Sequence, residues 1–265
     1  MWCNLCCKAR EVPRRHRKIS PNDLRKSILR VQFGSDPISR KTCGVRGGEL
    51  IPHKVLKEKQ RTQRVNFPED FGLRVHRSIS WLGRAEPEVE DQDVRFILMW
   101  VAFNAAYAQE RNSGSNGERD DFRAFFEKLV TGDSDQRIYQ TIWNRYSQEI
   151  RLLLDNQYVF SPFWQHQNGV PGYENWETRF SAAKNKTARA LTSRDTVTIL
   201  ETLFDRLYML RNQMVHGGAT WNSKVNRDQV RDSAAILSTL LPIFIDIMMD
   251  NHSADWGPVH YPVVE

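Results

Sequence analysis

From residue 66 onward, apolar residues recur three and four positions apart in segment after segment, and this spacing is what most limits the fold. In FGLRVHRSISWLGRAEP the apolar residues Phe71, Val75, Ile79 and Leu82 fall on one helical face. They predict a helix over 70–86, closed by Pro87. Asp91 or Asp93 can cap a second helix running to about 110. That helix is apolar nearly all round and belongs at the centre. RNSGSNGERDD (111–121) reads as a loop, and helices follow over 119–131 and 134–154. The stretch 155–175 holds SPFW, NGVPGY and several aromatics, an ordered but irregular connection. A helix near 174–191 comes next. TSRD (192–195) offers a capping-box pattern for the following helix, and a last helix covers roughly 226–250. No stretch sustains the strict alternation of a half-buried strand, and no internal repeat is present. The body is therefore expected to be all-α, a helical bundle.

Composition separates this body from what precedes it. Residues 1–65 carry 17 Lys and Arg against 5 Asp and Glu, whereas residues 66–265 carry 21 against 27. The basic character thus belongs to an N-terminal extension, residues 1–65, and a mildly acidic helical domain spans 66–250, with a tail at 251–265. A basic arm can attract nucleic acid or anionic membrane, though such blocks are usually solvated. Within it, SPNDLRKSILRVQF (20–33) fits one helix with Ser20 as cap, and GVRGGELIPHK (44–54) reads as loop. Cys3, Cys6, Cys7, His16 and Cys43 suggest zinc only superficially, because just Cys3 and Cys6 have knuckle spacing. Free thiols are expected there, with no metal.

No segment reads as a membrane span. FILMWVAFNAAYA (96–108) is 13 residues long where about 20 are needed. ILSTLLPIFIDIMM is interrupted by Pro242 and Asp246. The first residues lack the apolar stretch of a secretory signal, so a soluble, cytoplasmic protein is expected. No P-loop and no His-Glu-x-x-His pair is present.

One stretch raises a chemical question. The helix before LRNQMVHGG (210–218) is apolar at 200, 203, 204, 207, 210 and 214. Arg211 lies on the flank of that stripe, where it must either reach solvent or find an anion or acceptor. Gly217-Gly218 supplies a left-handed helix ending, so His216 falls in the last turn or at the cap. Both are ordinary capping features. A histidine there is also able to shuttle a proton near neutral pH. Asn104, on an apolar face four residues after Trp100, needs partners for its amide, either from backbone or as a brace for Arg211 from the neighbouring helix. His76-Arg77 suggests a solvated face, or a nucleic-acid surface. Phe163, Trp164, Tyr173 and Trp176 suggest a satellite aromatic cluster, or a platform for bases.

LFDRLYMLRNQMVHGGATWNS followed by a long apolar helix resembles the HEPN superfamily (higher eukaryotes and prokaryotes nucleotide-binding domain). The signature of that family is Arg, four to six residues, then His. LRVHRSISWLGRAE and DVRFILMWVAFNAAYA resemble its first two helices, so the likeness covers roughly 66–250. The resemblance implies a helical domain that commonly dimerises. In many members it is a metal-independent endoribonuclease that acts without a cofactor, as a toxin or defence effector. It further implies Arg211 and His216 as the catalytic pair, with Asn212 and Asn104 in support. RNA would be the substrate, with a cognate antitoxin or nucleotidyltransferase as a further partner. The alternative within the family is a non-catalytic module that binds RNA, nucleotide or protein.

Overall fold

The computed structural model describes residues 50–109 and 118–263. The readings made for Cys3, Cys6, Cys7, His16, Cys43 and the helix at 20–33 lie outside these residues. The described chain is all-α. Its helices are α1 (His53–Gln63), α2 (Glu69–Ala85), α3 (Gln92–Tyr107), α4 (Glu118–Gly132), α5 (Arg137–Gln140), α6 (Ser147–Leu154), α7 (Ser161–Gln167), α8 (Trp176–Ser193), α9 (Thr196–Val215) and α10 (Arg227–Asp250).

The stripe read from sequence is the face α2 buries: Phe71, Val75, Ile79 and Leu82 are all in the core. Asp91 is the cap of α3, accepting a hydrogen bond from the Val94 amide at 3.0 Å. α3 packs against α2 and α10. Its Trp100 and Phe103 join Phe126, Phe204 and Phe244 in an aromatic centre, where Phe103 and Phe204 have ring centres 4.4 Å apart. Rings of this size carry much of the burial, and their tilted contacts each add roughly 0.5–1.5 kcal/mol.

α10 is the most enclosed helix. The last helix expected over roughly 226–250 is observed, continuous through Pro242 and Asp246. A proline inside a helix costs about 3 kcal/mol, and here burial on nearly every side offsets that cost. Among the described residues α10 alone is long and apolar enough to cross a membrane by length and composition. Most of its apolar stretch, 83%, is buried within the protein.

The helical body starts before residue 65. α1 lies inside the stretch assigned to the extension, yet Leu56 is fully buried and Gln60 nearly so. α1 carries no broad apolar stripe. Lys59 instead pairs with Asp246 at 2.7 Å and Asp250 at 2.6 Å on α10, and Arg137 joins the same carboxylates. The expected single helix over 134–154 is also divided. The Tyr146 hydroxyl bonds Thr239 Oγ1 at 2.8 Å and the Ala235 carbonyl at 3.1 Å on α10. Drawing Tyr146 inward is accommodated by a π turn over 141–145. Asp195, not Thr192, caps α9, accepting from the Thr198 amide at 3.0 Å, while Thr192 remains in α8.

The C-terminal tail is docked. Trp256 and Val259 are buried. Arg74, 1% exposed, donates to the carbonyls of Ala106, Ala108, Gly257 and Pro258 at 2.8–3.3 Å. Burial lowers its pKa to about 10, with Asp70 opposing, so it stays charged at neutral pH. Arg77 holds the tail at the His260 and Tyr261 carbonyls.

Candidate functional site

The end of α9 is built by a glycine. Gly217 adopts φ +72°, a conformation that L side chains rarely take. Its amide bonds the Met214 carbonyl, and the Ala219 amide bonds the Gln213 carbonyl at 3.0 Å. The helix therefore stops at His216, whose own amide donates to the Asn212 carbonyl at 3.0 Å. The imidazole is exposed and has no hydrogen-bond partner among the described residues.

Arg211 follows Leu210, the last fully buried residue of α9. It is half-buried, its guanidinium 5.9 Å from the centre of the Tyr208 ring. Nη1 donates to Asn212 Oδ1 at 2.8 Å. Among the described residues no carboxylate pairs with it. Asn212 thus links the pair, its side chain engaging Arg211 and its carbonyl the His216 backbone. Its side-chain oxygen orients the arginine. A guanidinium has five N–H donors, and one nitrogen of Arg211 is engaged with Asn212.

Arg211 and His216 leave α9 on different sides. Five residues at 100° each place them about 140° apart around the helix, with a rise of roughly 7.5 Å. The end of α9 therefore presents an arginine on one flank and a histidine toward another.

Asn104 does not brace Arg211. Trp100 lies 6.4 Å from Phe204 and 6.1 Å from Tyr208, and Phe103 contacts Phe204. α3 and α9 therefore run in opposite directions, with Asn104 beside the N-terminal half of α9. Its Oδ1 is buried without a partner. His76 is exposed, with the Lys57 amine 3.4 Å from its ring. Burial, then Lys57 and Arg77, lowers the His76 pKa, which keeps the ring neutral, while Arg77 holds the tail. Phe163, Trp164 and Trp176 do pack together, with ring centres 5.0–5.1 Å apart, and Tyr173 lies under Arg179. This cluster abuts the site through Gln213, whose amide bonds the Tyr158 carbonyl at 2.6 Å.

The loop after His216 was not singled out from sequence. The Trp221 indole N–H donates to Asp91 Oδ2 at 2.9 Å, and the Asn222 amide to Asp93 Oδ2 at 2.9 Å. Arg227 pairs with Asp93 at 2.8 Å. The Val94 amide above all, with help from Trp221 and neighbouring groups, holds the Asp91 carboxyl below its usual value against the opposing effect of burial. Only the placing of two acids at a helix start hinted at this anchoring. Among the described residues no three His, Cys, Asp or Glu side chains are grouped as metal ligands are. Compared with known proteins, the chain matches no family model, no curated protein and no solved structure.

Proposed function

We propose that the protein is a metal-independent endoribonuclease of HEPN type, acting as a homodimer in which two α9 ends face one RNA strand. One observation supports this reading above the rest. An arginine with no carboxylate partner among the described residues and an exposed histidine end the same helix, joined through Asn212. At Arg227, by contrast, Asp93 matches the charge, and at Arg74 four carbonyls take up the two terminal nitrogens.

Guanidinium offers a planar fork to phosphate oxygens and stabilises the charge that develops on them. The RNA 2′-oxygen attacks the adjacent phosphorus, and the P–O5′ bond breaks. One His216 takes the 2′-hydroxyl proton and the His216 of the second copy gives a proton to the departing 5′-oxygen. General acid–base help of this kind supplies typically 10²–10⁴-fold. The products carry a 2′,3′-cyclic phosphate and a 5′-hydroxyl. In a cell, such activity would suit a toxin or defence effector held by a cognate partner.

A second reading, a non-catalytic module binding RNA, nucleotide or protein, is favoured by one feature. The body at 66–265 has more acids than bases, which opposes RNA approach. The two separate on cleavage of end-labelled total RNA in EDTA by wild type, Arg211→Ala and His216→Ala. Ribonuclease activity requires wild-type cutting, cyclic-phosphate ends and folded but inert variants. Equal inertness at high protein concentration would leave the binding module.

A further inference from the structure

Beside the end of α9 lies an open cleft of about 450 Å³, within the size range of small-molecule sites. Val94, Ile97 and Leu98 of α3 line one side, Met214 and Val215 of α9 another, and Trp221 the third. Met214 and Val215 fall between Arg211 and His216 in sequence, and at 100° per residue they lie either side of Arg211 around the helix, so the cleft is within one turn of the arginine. Trp221 is 72% exposed, and Val215 beside it 53%. The indole nevertheless has a set orientation. Its N–H is tied to Asp91, and the next residue, Asn222, is tied through its backbone to Asp93 and through its side chain to Arg227 at 3.0 Å. An exposed aromatic ring held at its polar edge presents its face outward.

We infer that this cleft receives a nucleobase of the RNA, stacked on Trp221, while Arg211 holds a neighbouring phosphate. The inference rests on the ribonuclease reading and deepens it. The side chains that line the cleft are mostly apolar and suit a base better than a phosphate; of its polar members, Asp93 accepts from an exocyclic amine, and the Thr220 hydroxyl both donates and accepts. Bases with such an amine, adenine among them, are expected to be preferred. Stacking on an aromatic side chain tolerates any base, so the preference is one of degree.

The test uses full-length protein carrying His216→Ala, which suppresses cutting, and fluorescence anisotropy with two labelled probes: hexaadenylate and an abasic ribose-phosphate hexamer. Trp221→Leu should weaken hexaadenylate binding about tenfold and leave the abasic probe unchanged. Trp221→Phe, which keeps a stacking face, should stay within about twofold of the parent. Arg211→Ala should weaken both probes. Hexaadenylate binding unaffected by Trp221→Leu overturns the base site while leaving the ribonuclease reading in place. A Trp221→Leu protein that sediments as a smaller species assigns the cleft to a second copy and overturns it too. Should the parent bind neither hexamer, the ribonuclease reading falls. Adenosine monophosphate then decides the cleft, because a shift of the Trp221 indole N–H resonance supports a nucleotide site and its absence removes one.

Discussion

Two arginines at opposite helix flanks show how differently one side chain can be used. Arg74 is enclosed, and its two terminal nitrogens are divided among four carbonyls that join α3 to the C-terminal tail. Among the described residues, the hydrogen-bond and ring partners of Arg211 are its helix neighbours Asn212 and Tyr208. A buried guanidinium is tolerated when most of its donors are satisfied; Arg74 leaves Nε without a partner but places both terminal nitrogens on carbonyls, so it is fixed by the fold and in turn fixes the tail. Arg211 is held in place without being satisfied. The difference teaches that burial marks what the fold needs, while an oriented charge without a counter-charge marks what remains for a ligand.

That contrast can be broken in order of effect. Arg74→Met should cost most, about 3 kcal/mol in denaturant unfolding, because hydrogen bonds from a charged group contribute about 1.5–3 kcal/mol each and the stranded carbonyls add a penalty. It should also expose the tail to protease. A loss under 1 kcal/mol would mean that the tail is not anchored as described. Asp246→Ala leaves Lys59 and Arg137 with Asp250 as their main remaining acid on α10. A loss of about 2 kcal/mol is expected, less than for an enclosed pair because these groups are partly solvated; unfolding by urea measures it. Asp91→Ala should cost about 1 kcal/mol as a lost helix cap. It should also loosen Trp221, which time-resolved fluorescence anisotropy would detect. Because the folded pKa of Asp91 is depressed, its contribution is present above the ordinary carboxylate value near 3.8 and is lost as pH falls through the lower folded value. The stability difference between wild type and Asp91→Ala should therefore shrink in acid below that point.

How much of this was legible depended on range. The stripes of α2 and α9, the Asp91 cap and the glycine ending at Gly217 are local, and periodicity and capping chemistry disclose them. α1 escaped notice because one leucine and one ion-pair cluster with α10 hold it, and no stripe marks such a helix. The break before α6 escaped notice because it depends on where the Tyr146 hydroxyl finds α10. Asn104 was misplaced for a similar reason: its helical face can be read from sequence, but the register of α3 against α9 cannot. Trp221 lay in a loop whose meaning rests on two aspartates about 130 residues earlier. Arg211, Asn212 and His216 were legible because they are neighbours, and only the hydrogen bond that joins the first two needed coordinates.

The smallest expected effect on stability belongs to Arg211→Ala and His216→Ala, within about 0.5 kcal/mol of wild type, as for other surface changes. The decisive measurement pairs that stability with RNA cleavage on the same preparations. Unchanged unfolding midpoints with cleavage reduced at least about 100-fold would show that the end of α9 serves chemistry and not the fold. Variants that lose several kcal/mol, or that cut RNA as well as wild type, would contradict it.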